Sequence, residues 1–93
     1  MDQFQAERLA ASGIQVAAET EAHSLLTRGN CIALVDRHGG IGSTGLLTEN
    51  GLSYLVWRDG QALLKSKTAE IPATDEQLAA VQTFSQDLAA ALR

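Results

Sequence analysis

Residues 44–67, TGLLTENGLSYLVWRDGQALLKSK, decide how this chain folds. Asn50-Gly51 and Asp59-Gly60 cut the stretch into three apolar-rich pieces. Such pairs fill type I′ hairpin turns, because both central positions of that turn need positive φ. The stretch therefore predicts strands over 44–48, 52–58 and 62–67, joined as an antiparallel meander. Counting outward from two two-residue loops sets a register. Leu55 then opposes Leu46 and Leu64, and Trp57 opposes Thr44 and Ala62. On the other face Tyr54 opposes Leu47 and Lys65, Val56 opposes Gly45 and Leu63, and Leu52 opposes Glu49 and Lys67.

On the N-terminal side of this stretch, residues 31–36 form a short apolar run containing Ile and Val, which reads as a further strand. A glycine-dense loop, Arg37-His38-Gly39-Gly40-Ile41-Gly42, connects the two. Residues 3–28 are rich in Ala, Glu, Gln and Leu and contain no proline, a composition that favours helix. Phe4, Ala11, Ile14, Ala18, Ala22, Leu25 and Leu26 would share one stripe of it. In this reading Gly13 is a weak point where the helix kinks, and Gly29 is its C′ residue. On the C-terminal side, Thr74-Asp75-Glu76-Gln77 matches a capping box and opens a helix over 74–92. Leu78, Val81, Phe84, Leu88 and Leu92 fall on its inner side. The expected fold is α+β: an N-terminal helix, a four-stranded antiparallel meander and a C-terminal helix, with both helices packed on one sheet face.

Composition excludes whole classes. The chain has 93 residues, 45% hydrophobic and 19% charged, with one cysteine and a net charge of −4. That is one ordinary globular domain. A single cysteine cannot build an internal disulfide framework or a cysteine-based zinc module, so a reduced, cytoplasmic setting is expected. No apolar run approaches the roughly 20 residues of a membrane span. Asp2, Glu7 and Arg8 precede any apolar stretch, which does not suit a secretory signal. The acidic balance speaks against nucleic acid as the main partner. Arg58, Lys65 and Lys67 beside Tyr54 are the one basic-aromatic grouping, too sparse for a nucleic-acid surface.

An antiparallel sheet with one wet face alternates apolar and polar residues. Here neither face is polar. The face of Trp57, Leu55, Leu46 and Leu64 suits the helices. The other face keeps Leu47, Leu52, Tyr54, Val56 and Leu63, rimmed by Glu49, Arg58, Lys65 and Lys67. Apolar centre and charged rim are the anatomy of a protein interface. The competing expectation is that loops or the N-terminal helix cover this face. A second stripe on the N-terminal helix, Leu9, Val16 and His23, reads as ordinary surface.

Candidate chemistry is thin. Residues 40–45 match G-x-G-x-x-G after a strand, but only 46–49 separate them from the next turn, leaving no room for a Rossmann crossover helix. Consecutive amides in the glycine loop could form an anion-binding nest, with Arg37 and His38 adding positive charge beside Gly39, Gly40, Gly42 and Ser43. Asp36, His38 and Ser43 lack a strained nucleophile and a placed oxyanion hole. Asp36, His38, Cys31 and His23 lack metal-ligand spacing, and Cys31 reads as a small apolar strand residue. No catalytic residue, metal or cofactor is expected.

The run Cys31-Ile-Ala-Leu-Val-Asp-Arg-His-Gly-Gly after a helix resembles the first hairpin of roadblock and longin-type domains, small dimeric modules that scaffold GTPases and motor complexes. The chain departs from that pattern because no helix fits between Leu46 and Leu52. The acidic helix–sheet–helix outline is also similar to type III secretion chaperones, without a defining motif. The sequence thus leads to the expectation of a non-catalytic protein-interaction or scaffolding module. It would act as a homodimer or with another protein, through Leu47, Leu52, Tyr54, Val56, Leu63 and Lys65. The alternative is a small-ligand or anion-binding regulator using the 37–45 loop.

Overall fold

The computed structural model describes residues 3–93; the reading of Asp2 lies outside them. Helix α1 (Gln3–Ala11) is followed by seven strands and helix α2 (Asp75–Ala91). The strands are β1 (Gln15–Glu19), β2 (His23–Arg28), β3 (Cys31–Asp36), β4 (Ile41–Thr48), β5 (Gly51–Arg58), β6 (Gln61–Lys65) and β7 (Glu70–Pro72). They form one antiparallel sheet in sequence order, each strand paired with the next. The α+β class stands, but the sheet has seven strands and not four.

The correction begins at Gly13. Its φ of +73° closes α1, with Ile14 N–H on the Leu9 carbonyl (2.9 Å) and Gly13 N–H on that of Ala10 (3.0 Å). That is a Schellman ending, completed by burial of both Leu9 and Ile14 in one cluster. Gly13 therefore ends the helix that the sequence reading extended to Arg28. Gly29 is the first residue of the two-residue β2–β3 turn, between the paired Arg28 and Cys31, and caps no helix. The alanine-rich residues 15–28 become two strands because β2 gains a six-residue ladder with β3 and buries Leu26 and Ser24 against the helices. Tertiary pairing overrides a propensity worth only tenths of a kcal/mol per residue.

The Asp59-Gly60 turn has positive φ at both residues, and the β5–β6 register is as counted, with Leu55 opposite Leu64 and Tyr54 opposite Lys65. The Asn50-Gly51 turn differs. Only Gly51 has positive φ (+93°), Glu49 and Asn50 form the loop, and Thr48 pairs with Gly51. The β4–β5 register moves by two residues: Leu47 opposes Leu52, Leu46 opposes Ser53 and Gly45 opposes Tyr54. A two-residue shift preserves the faces. Strand β4 also starts at Ile41, so Gly42 and Ser43 are sheet residues and not loop. Strand β6 ends at Lys65, leaving Lys67 in the connection to β7.

Both helices cover one face. Leu9 and Ile14 meet Leu26, Ala33 and Val35 of the sheet and Phe84, Leu88 and Ala91 of α2. A second cluster, Leu46, Leu64 and Val81, continues this layer, with Cys31, Leu55 and Ala73 against it. Thr74 and Gln77 form the reciprocal capping box, at 3.0 and 2.9 Å. At the other end, Arg8 of α1 donates to the carbonyls of Ala91 (2.7 Å) and Arg93 (3.0 Å), supplying the positive charge that the last turn of α2 lacks. Arg28 lies over the Phe84 ring and bridges Asp87 at 2.9 Å, tying β2 to α2.

Candidate interaction surface

Strand pairing places side chains on the opposite face in cross-strand rows. One row runs Thr27, Ile32, Gly45, Tyr54, Lys65 and Glu70 across β2 to β7. Leu25, Leu34 and Ser43 form the row on one side of it. Val56, Leu63 and Pro72 continue that same side across β5 to β7, and Leu47 and Leu52 pair on the opposite side of the central row, next to the β4–β5 turn. No helix lies here, because both pack on the other side. Leu47 is 50% and Leu52 43% exposed, while Leu25, Leu34, Tyr54, Val56 and Leu63 are half-buried. The result is an aliphatic band across five strands with one aromatic at its centre.

Gly45 sets the middle of the band. A Cβ there would overlap the Ser53 carbonyl oxygen and crowd Tyr54 Cα, so β4 and β5 approach too closely for any side chain. Beside it Ile32 is buried to 2% without a helix above it. Partial burial raises the pKa of the Tyr54 phenol above its usual 10.0.

The rim at β5–β7 is an ion-pair cluster. Arg58 grips Glu70 with two bonds of 2.8 and 3.0 Å, and Lys65 Nζ stands 3.8 Å from the same carboxylate. Glu70 thus balances the basic pair beside Tyr54, and Lys67 is not part of the band. Glu49 sits in the β4–β5 turn. Of the residues expected from sequence, Leu47, Leu52, Tyr54, Val56, Leu63 and Lys65 all share this face. Leu25, Ile32 and Leu34 were missed. For Leu25 the signal was the alternation of His23, Leu25 and Thr27 with Ser24, Leu26 and Arg28, hidden under the helical reading. Ile32 and Leu34 lay on an expected strand whose register with its neighbours was not set.

The glycine loop is organised around Asp36. Its Oδ1 accepts from the amides of His38 (2.8 Å) and Gly40 (2.9 Å), its carbonyl accepts from Gly39, and the Arg37 amide reaches the Ala22 carbonyl. These bonds hold the Asp36 carboxyl below its usual pKa. The amides of residues 37–40, four of those an anion nest would use, are thus engaged, two of them by a carboxylate. Asp36 binds the His38 backbone and not its ring, while Ser43 lies on β4 opposite Leu34. Among the described residues, no group of three or more His, Cys, Asp or Glu is placed to hold a metal. Cys31 is half-buried with Sγ 3.7 Å from the Ala80 carbonyl, and burial pushes its thiol pKa up.

Strand β2, where the sequence reading placed a helix, precedes the Cys31 hairpin, so the helix-then-hairpin order behind the roadblock resemblance is absent. Comparison with protein-family models, curated proteins and solved structures finds no match. No helix among the described residues is long and apolar enough to cross a membrane.

Proposed function

We propose that the protein is a non-catalytic interaction module that associates through the helix-free face of its sheet, with a second copy of the chain as the occupant. The observation that carries this reading is the exposure of the band itself. Leu47 (50%) and Leu52 (43%) stand open on a face that no helix covers, with Leu25, Leu34, Tyr54, Val56 and Leu63 half-buried beside them. An aliphatic band is complementary to its own copy, and two such faces stack about 10 Å apart as in a β-sandwich. The second reading, a ligand or anion regulator in the 37–45 loop, gains nothing from amides already bonded within the fold.

Light scattering on the purified chain should give about twice the 9.9 kDa chain mass, and Leu47→Glu should return it to one chain with its circular dichroism unchanged. A wild type that stays at single-chain mass at several hundred micromolar overturns the proposal.

A further inference from the structure

On the helix side of the sheet, the start of α2 stands off from the β4–β5 hairpin and leaves a cleft of about 790 Å³. That lies within the ~300–1,000 Å³ typical of small-molecule sites. Leu46 (8% exposed), Leu64 (4%) and the half-buried Cys31 form its apolar floor, and Ile71, 46% exposed, stands beside it as the open apolar wall. Two features of α2 keep the space open. Ala80 lines the cleft with only a methyl group, where a longer side chain would enter the gap. One turn earlier, the Gln77 carboxamide is held on the Thr74 amide by the capping box. The hydroxyls of Thr48 and Ser53 are paired at 2.9 Å, so the polar wall is already satisfied.

The charge of the lining is one-sided. Glu49 and Glu76 contribute carboxylates, and no Lys, Arg or His is among the lining residues. The positive end of α2 does not reverse this, since Asp75 and Glu76 occupy its first turn and Thr74 caps the Gln77 amide. We infer that the cleft binds a small organic cation, an amine or guanidine on an aliphatic or aromatic body. The body would lie against Ile71 over the floor of Leu46, Leu64 and Cys31, with the head toward Glu49 and Glu76. Apolar burial supplies attraction and the carboxylates supply selection by sign. The site shares only Leu47 with the helix-free face, so it stands or falls separately from the dimer.

Two isosteric probes test it, 3-phenylpropylamine and 3-phenylpropionate, titrated into the ¹⁵N-labelled chain. The amine should saturably shift the amides of Leu46, Ser53 and Ala80 and slow alkylation of Cys31 by iodoacetamide. The carboxylate should bind at least about fivefold more weakly, as expected when unpaired like charges meet. Ala80→Phe should abolish the shifts, whereas Ala79→Phe, on the exposed side of the same turn, should leave them. Glu49→Gln with Glu76→Gln should bring the two probes together. No saturable shift, equal binding of both probes, shifts confined to Val56 and Leu63, or an unaffected Ala80→Phe variant each overturn the inference.

Discussion

The two faces of this sheet carry similar numbers of aliphatic side chains and treat them differently. Leu46 and Leu47 are neighbours on β4, yet Leu46 is 8% exposed beneath α2 and Leu47 is 50% exposed on the opposite side. Under α1 and the C-terminal half of α2 the helix face is a closed layer in which Leu9, Leu26, Phe84 and Leu88 are essentially inaccessible. The other face is held by strand pairing alone. Apolarity, then, does not by itself distinguish a core from a binding surface; the layer stacked on it does. Trp57 makes the point from the other direction: it belongs to the helix face by parity but lies 59% exposed.

Four substitutions or conditions probe that contrast. Phe84→Ala, in the sealed layer, should cost about 3–5 kcal/mol, a large part of the ~5–15 kcal/mol of a typical domain, read by urea denaturation. Leu46→Ala should cost about 2–3 kcal/mol, whereas Leu47→Ala, measured at concentrations where the chain is monomeric, should cost under about 1 kcal/mol. Equal losses at 46 and 47 would mean that the second face is covered after all. Gly45→Ala should lose about 1–3 kcal/mol despite lying on the helix-free face, because the new methyl meets the β5 backbone. The same melts would show whether that face makes structural demands of its own.

The smallest effect concerns pH at the corner where β3 leaves the sheet. The folded pKa of Asp36 lies below its ordinary 3.8. Its hydrogen bonds therefore add stability above that value and lose it as pH falls through the folded pKa. Thermal melts between pH 5 and 2 should show this limb, and Asp36→Asn should flatten it. Gly40 belongs to the same device, since a Cβ there would sit 2.6 Å from Asp36 Oδ2.

Much of the fold was legible where local chemistry is decisive. Asp59-Gly60 set one hairpin and its register. The Thr74 to Gln77 pattern set the start of α2. What misled was residues 15–28, where alanine and glutamate favour helix but the ladder with β3 wins. Gly13 and Gly29 carried their information in the reverse of the expected order. Gly13 is a helix end because Leu9 and Ile14 can close over it, and Gly29 a hairpin turn because strands flank it. The band on the helix-free face was half visible, through Leu47, Leu52, Tyr54, Val56 and Leu63. The rest waited on the existence of β2 for Leu25 and on the β3–β4 register for Ile32 and Leu34. The cleft under Ala80 left no sequence signal, because an empty space is set by the distance between elements and not by any one residue.

By itself, then, the sequence determined the Asp59-Gly60 turn, the capping box, the two-sided apolarity of β4 to β6 and the acidic balance, since each depends on residues close together in the chain. Only the tertiary structure decided that seven strands form one sheet, that both helices choose the same face, and that α2 stands off from the β4–β5 hairpin. Those outcomes depend on long-range pairing and on burial shared among distant residues, which weak local propensities do not encode.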